Sequence, residues 1–242
     1  MYHSISSSSG SRWAVSEKAF EEQIRLLVAE GWKTACVRDL FDAEGLPPRT
    51  VVLTFDDGYA DNFEHGFNCL TRYGMKATWF VVSGDVGRRS SWSDDDNPSR
   101  SMLSSMQLRE MAQAGMEIGA HTRTHPRLPG LDIEAIADEV TGSKKDLEDI
   151  LGSEVTSFAY PYGLLNEDCV KAVKDAGFKA ACTTRTGWFG SDPDMLRVRR
   201  VAVFSDDSLS TFARKLVFAD NEVDWGRMTN YMASRVRARI LG

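Results

Sequence analysis

At 242 residues the chain has room for one large domain or two small ones, with a substantial buried core. Its 42% hydrophobic and 26% charged residues are ordinary for a globular fold, and a net charge of −6 argues against a general nucleic-acid binder, which needs a basic surface to neutralise phosphates. No stretch approaches eighteen consecutive apolar residues, so no transmembrane helix is expected.

In chain order, Met1 to Gly10 are polar and serine-rich, with neither a basic start nor an apolar core, so no signal peptide is expected. As written, the chain is expected in the cytoplasm, with cell-envelope association the expectation if the true start lies upstream. Phe20, Ile24, Leu27 and Val28 have helical spacing, as do Phe63, Phe67 and Leu70. Four segments repeat one stop pattern: Glu30-Gly31-Trp32-Lys33-Thr34, Tyr73-Gly74-Met75-Lys76-Ala77, Ala114-Gly115-Met116-Glu117-Ile118 and Ala176-Gly177-Phe178-Lys179-Ala180. A glycine just after a helix takes the left-handed conformation, and the apolar residue behind it packs back on the last turn. Strands are predicted after these stops at Thr34–Val37, Ala77–Val82, Glu117–Ala120 and Lys179–Thr183, and further at Val51–Phe55, Val155–Ala159 and Val198–Val203. Seven alternating helix and strand units imply an α/β fold with a parallel sheet closed, or nearly closed, into a β/α barrel. No Pro-, Gly- or Ser-rich linker divides the chain, so a single domain is expected over 1–242. The longest irregular stretch, Ser83–Ser101 with Trp92 in it, follows a strand and reads as a rim loop over the site or as a solvated excursion. Cys36, Cys69, Cys169 and Cys182 lack paired spacing and read as buried thiols, with a disulfide or thiolate site as the alternative.

Barrels of this kind build their sites at the carboxyl ends of the strands, and three clusters meet that condition. Asp56-Asp57-Gly58 follows Val51–Phe55, His121-Thr122-Arg123-Thr124-His125 follows Glu117–Ala120, and Tyr160-Pro161-Tyr162-Gly163 follows Val155–Ala159. A zinc-type divalent ion accepts imidazole nitrogen and carboxylate oxygen, and a catalytic site commonly uses three protein ligands. Asp57, His121 and His125 fill that set, which leaves Asp56 beside it as a general base. Pro126 keeps His125 out of the right-handed helical region, so the histidine pair belongs to a loop rather than to one face of a helix.

With these motifs the chain resembles the polysaccharide deacetylases, carbohydrate esterases with a NodB-type domain, over nearly its whole length. Thr54-Phe55-Asp56-Asp57-Gly58 is similar to that family's first motif, His121 to His125 to the second, and Tyr160 to Gly163 to much of the third. The resemblance implies a distorted (β/α)7 barrel, a divalent metal with zinc foremost, and removal of acetyl groups from N-acetylated sugars. It implies Asp57, His121 and His125 as ligands, Asp56 as base, the backbone N–H of Tyr162 as an oxyanion donor, and Pro161 and Tyr162 beside the substrate. Met1-Tyr2-His3-Ser4-Ile5 looks like the Tyr-His-x-Ile start of the subgroup resembling the poly-N-acetylglucosamine deacetylases, which implies His3 as the acid that protonates the leaving amine. Many members have an arginine where this chain has Ala159. Arg199 or Arg200 must then hold the base carboxylate, and Arg200 is preferred; either could instead be a surface residue at a strand rim.

Trp92 and Trp188 follow strands and could line a sugar subsite, although Trp188 could equally plug the barrel end. The expected partner is a carbohydrate, with no nucleic acid. The tail over 225–242 carries Arg235, Arg237 and Arg239 among apolar residues and reads as a basic amphipathic helix, docked on the barrel or in peripheral contact with an anionic membrane. The competing functions are an O-acetyl esterase or non-sugar amidohydrolase using the same site, and a carbohydrate-binding protein without turnover.

Overall fold

The computed structural model describes residues 1–8, 10–92, 99–222 and 226. Its strands are β1 (Ser4–Ile5), β2 (Ala14–Val15), β3 (Lys33–Ala35), β4 (Thr50–Val52), β5 (Thr54–Phe55), β6 (Thr78–Val81), β7 (Glu117–Ala120), β8 (Ser157–Ala159) and β9 (Ala180–Cys182). Helices α1 (Glu17–Ala29), α2 (Asn68–Arg72), α3 (Ser105–Gln113), α4 (Ile133–Leu151), α5 (Glu167–Asp175) and α6 (Leu209–Phe218) alternate with them. Most helix ends have a local reason. Ser16, Ser104, Asp132, Asn166 and Ser208 cap the amino termini of α1, α3, α4, α5 and α6 with their side chains, and Gly31, Gly74, Gly115 and Gly177 all take positive φ at the predicted stops.

Strands β5 to β9 form one parallel sheet in sequence order, curled into a half-barrel. Two further backbone segments complete the ring. The Tyr2 amide donates to Thr54 O at 2.8 Å and the Asp56 amide to Tyr2 O at 2.9 Å, while the Met1 amine reaches Val201 O at 2.7 Å and Val203 N reaches Met1 O at 2.9 Å. On the other side Thr183 N donates to Val198 O at 2.8 Å, so the segment 198–203 bridges β9 and the amino terminus.

The ring therefore differs from the predicted one in membership. Thr34–Val37 was expected among the barrel strands, but β3 pairs only with β4, in a separate two-stranded sheet. The predicted strand Val51–Phe55 is split at Leu53, its first half serving β3 and its second half β6. Met1 and Tyr2 take the vacated barrel position. Val198–Val203 is not a regular strand: its ladder is a single bridge at Val198, and the Arg200 amide turns to Arg185 O instead. Val28, which shares the helical spacing of Phe20, Ile24 and Leu27, lies at the margin of that stripe and is 46% exposed.

Alternation along each strand separates two apolar layers. Trp79, Val81, Phe158 and Ala181 face the helices, where Phe55 stacks on Trp79 at 4.6 Å, whereas Phe80, Ala159, Ala180 and Cys182 face inward against Val37, Leu40 and Val198. The same parity sends Thr54 and Asp56 of the first motif inward. Below them, buried Glu117 accepts hydrogen bonds from Thr78 Oγ1, Ser157 Oγ and the Arg38 amide at 2.7, 2.8 and 2.9 Å, which closes the amino-terminal mouth of the barrel. Gly119 lies between these polar groups and the rim because nothing larger fits. A Cβ there would stand 2.6 Å from both Phe80 Cδ1 and Ser157 Oγ. Gly119→Ala is accordingly expected to cost about 1–3 kcal/mol through overpacking, read in thermal unfolding as a lower Tm of about 2–4 °C per kcal/mol.

All four cysteines are buried and free. Among the described residues no helix is long and apolar enough to cross a membrane. The predicted basic helix over 225–242 lies outside the described residues, apart from Gly226.

Candidate metal centre and active site

The carboxyl ends of β5, β7 and β8 bring the three predicted clusters to one rim. Asp57, at φ 74, turns out of β5 so that its carboxylate meets both histidines: Oδ1 is 3.5 Å from His121 Nε2 and 3.4 Å from His125 Nε2. One donor atom from each of Asp57, His121 and His125 lies within 4.8 Å of the other two, and all three residues are buried. Bonds of about 2.0–2.1 Å to a tetrahedral ion would separate neighbouring ligand atoms by about 3.3–3.5 Å, so the spacing suits a shared cation.

The tautomers suit it too. His121 Nδ1 lies 2.7 Å from Ala159 O, and donation to that carbonyl leaves Nε2 with its lone pair toward Asp57. Burial pushes the His125 pKa down to about 4, against the attraction of Asp57, so its imidazole is neutral, as a ligand must be. Burial opposes ionisation of Asp57, but the histidines around it, His121 foremost, outweigh it and hold the carboxyl well below its ordinary range. The donor set therefore fits a divalent metal of the zinc type.

Asp56 points inward beside this cluster and is locked by one side chain. Arg200 donates through Nη1 to Oδ1 at 2.6 Å and through Nη2 to Oδ2 at 2.8 Å, a bidentate fork whose other bonds go to Thr54 Oγ1 at 3.1 Å and Thr183 O at 2.9 Å. Both groups are buried. Burial alone would favour the neutral acid, but Arg200, with help from His121, holds the Asp56 carboxyl below its usual range. Arg199 points elsewhere, donating to Thr186 O at 3.2 Å.

His3 stands on the strand segment next to Asp56. Asn62 Nδ2 donates to its carbonyl at 2.8 Å, its ring packs 4.4 Å from Trp13, and its Nδ1 is buried with no hydrogen-bond partner among the described residues. Burial lowers the His3 pKa, opposed by the charges of Asp57 and Asp56. Pro161 is buried at the start of a one-turn segment after β8, and Tyr162 follows it at φ 59. Its ring lies 4.7 Å from His125 and 4.2 Å from the Arg127 guanidinium. From the rim loop, Trp92 stacks on His125 at 4.5 Å, and Arg100 is anchored to Asp61 and Ser4.

Trp188 lies on the side of Arg200 and Thr54 away from the metal cluster. It is 54% exposed and lines, with Phe189, Val51, Val52 and Phe212, a cavity of about 250 Å³ whose walls include none of Asp56, Asp57, His121 and His125. Conversely, Thr54, Thr122, Trp13 and Asn62 were not anticipated. Thr122 accepts from the His125 amide at 3.0 Å and shapes the histidine loop, a contact that the spacing of the two residues within one motif could have suggested.

A parallel α/β half-barrel that gathers one carboxylate and two imidazoles at its strand ends, next to a second, arginine-paired carboxylate, has the architecture of a metal-dependent hydrolase. A family model described as polysaccharide deacetylase matches residues 43–181. YxkH of Bacillus subtilis (strain 168), whose name assigns it to the same family, is 33% identical over 216 residues, covering 88% of this chain and 73% of that protein. The poly-beta-1,6-N-acetyl-D-glucosamine N-deacetylase of Staphylococcus aureus (strain MSSA476) is 28% identical over 191 residues, covering 74% of this chain and 64% of that enzyme, a little under two thirds of its length. Among solved structures, the Streptococcus pyogenes deacetylase PplD in complex with acetate is similar with a TM-score of 0.77 at 25% identity, over 89% of this chain and 96% of that one. The chain belongs to the polysaccharide deacetylase family.

Proposed function

We propose that this protein is a metal-dependent N-deacetylase that hydrolyses the acetamide of N-acetylated sugars in a polysaccharide or glycan precursor. The observation that carries this reading is the buried Asp57, His121 and His125 cluster with Asp56 ion-paired beside it. The substrate class rests on family membership and on the name of the staphylococcal relative. A divalent ion held by Asp57, His121 and His125, zinc by the chemistry of the donor set, would polarise the acetamide carbonyl and ease the ionisation of water.

The chain's own residues supply the rest. Asp56, kept ionised and aimed by Arg200, takes the proton from the attacking water. Tyr162, on the turn after β8, offers the backbone N–H that supports charge gathering on the carbonyl oxygen. Expelling an amine requires a proton, and His3, on the segment that pairs with the strand of Asp56, is the group that gives it. Trp92, stacked over His125, forms one wall of the sugar site.

Acetate release from N-acetylglucosamine oligomers and from acetylated xylan, with and without chelator, tests the reading. Chelator-sensitive release from the amino sugar supports it. Release from xylan alone would make the protein an esterase, and no release from either with metal bound would make it a binding protein. His3→Ala is expected to lower kcat by about 10²–10⁴-fold with metal content preserved, the range for loss of a general acid. Loss of metal in that variant, measured by atomic emission, would reassign His3.

A further inference from the structure

The backbone that carries the two histidines does not hold its shape unaided. Thr122 and His125 both take left-handed conformations, at φ 66 and φ 61, and a β-branched residue rarely does so without external support. The support comes from α4. The half-buried Glu139 carboxylate accepts the Arg123 amide at 2.8 Å and the Thr124 amide at 3.0 Å on Oε2, and the Thr124 hydroxyl at 2.6 Å on Oε1. All three donors lie between His121 and His125. Such charge-assisted bonds are stronger than neutral ones and fix both ends of one short segment.

The rest of that helix face agrees. Glu139, Gly142 and Asp146 follow at helical spacing beside the buried stripe Ile136, Val140, Ser143 and Leu147. A Cβ at Gly142 would collide with the Arg123 side chain, and Arg123 Nε pairs with Asp146 at 3.1 Å. Ser83, from the loop after β6, bonds the same Asp146 carboxylate at 2.8 Å, and the Gly84 amide donates to Arg123 O at 3.0 Å. None of these contacts is made to Asp57 or to the rings of His121 and His125; they hold the loop.

We infer that Glu139 is a positioning residue for the metal-binding histidines: its carboxylate fixes the segment between them, so that both Nε2 atoms face Asp57 before an ion arrives. This rests on the metal-site reading above. Without the clamp, the loop would have to be ordered at the expense of binding, and supporting contacts of this kind commonly carry 10-fold to 100-fold in metal affinity.

The test is a competitive zinc titration of the full chain against a chromophoric chelator, with circular dichroism as the check on folding. Glu139→Ala is expected to raise the zinc Kd by about 10–100-fold, and Glu139→Gln, which keeps one acceptor oxygen, by a smaller factor of at least about threefold. Asp138→Ala, which removes only a 3.4 Å contact to the exposed end of Arg123, is expected to leave the Kd unchanged. If Glu139→Ala does not fold, the comparison of Glu139→Gln with Asp138→Ala decides. A Kd in the folded Glu139 variants within twofold of the parent, or an equal loss in Asp138→Ala, overturns the inference. Failure of the parent protein to bind zinc would instead overturn the metal-site reading beneath it.

Discussion

Asp56→Asn is expected to reduce acetate release by about 10²–10⁴-fold while the protein still binds one divalent ion, because the change removes the base and leaves all three candidate ligands in place. Asparagine keeps the shape and one acceptor oxygen, so Arg200 retains part of its contact and the fold survives. The buried guanidinium loses its counter-charge, so some stability is lost as well, and the informative feature is the split between acetate release and metal content. A carboxylate needed to hold the ion would lose metal and activity together, whereas a base loses turnover with the metal retained. Activity within threefold of the parent, with acetate measured enzymatically and metal by emission spectroscopy, would remove Asp56 from the mechanism.

The second large effect belongs to its partner. Arg200→Met leaves Asp56 buried with no cation, and breaking such a pair costs about 3–5 kcal/mol, a large share of the roughly 5–15 kcal/mol that holds a domain together. Thr54 Oγ1 and Thr183 O lose a donor in the same step. Turnover falls as well, because burial favours the neutral acid once the guanidinium is gone, and a neutral carboxyl cannot take a proton. Arg200→Lys is not a conservative escape, since an ammonium cannot reproduce the two-pronged contact. The double variant Asp56→Asn with Arg200→Met is expected to recover much of the lost stability but none of the activity. Urea unfolding of the four proteins gives the coupling directly. Additive losses in the double variant would mean that the two side chains are not one energetic unit.

Much of this site was legible because its chemistry is local in sequence. Asp56 with Asp57, and His121 with His125, each lie within one short motif at the end of one strand, and Pro126 already excludes a helical reading of the histidines. Arg200 was legible only as one of two neighbours. Its inward direction depends on the pairing of Val198 with β9, which no pattern inside Arg197-Val198-Arg199-Arg200 reveals. The barrel's membership was harder. The segment from Lys33 to Val37 follows the same kind of helix stop as the true barrel strands and ends in the apolar Ala35, Cys36 and Val37, yet Lys33–Ala35 serves as a side sheet, while the segment that closes the ring, Met1 and Tyr2, is too short to show any period. Glu139 was invisible for a different reason. On an amphipathic helix an acid beside the buried stripe looks like ordinary solvated surface, and only the fold brings it against the histidine loop.

Zinc stoichiometry measured by equilibrium dialysis tests the central claim most directly. One ion per chain is expected for the parent protein and for Asp56→Asn, and none at the same free zinc for Asp57→Ala or for His121→Ala. One ion per chain in the Asp57→Ala protein, or none in the parent, would contradict the assignment of Asp57, His121 and His125 as the metal centre.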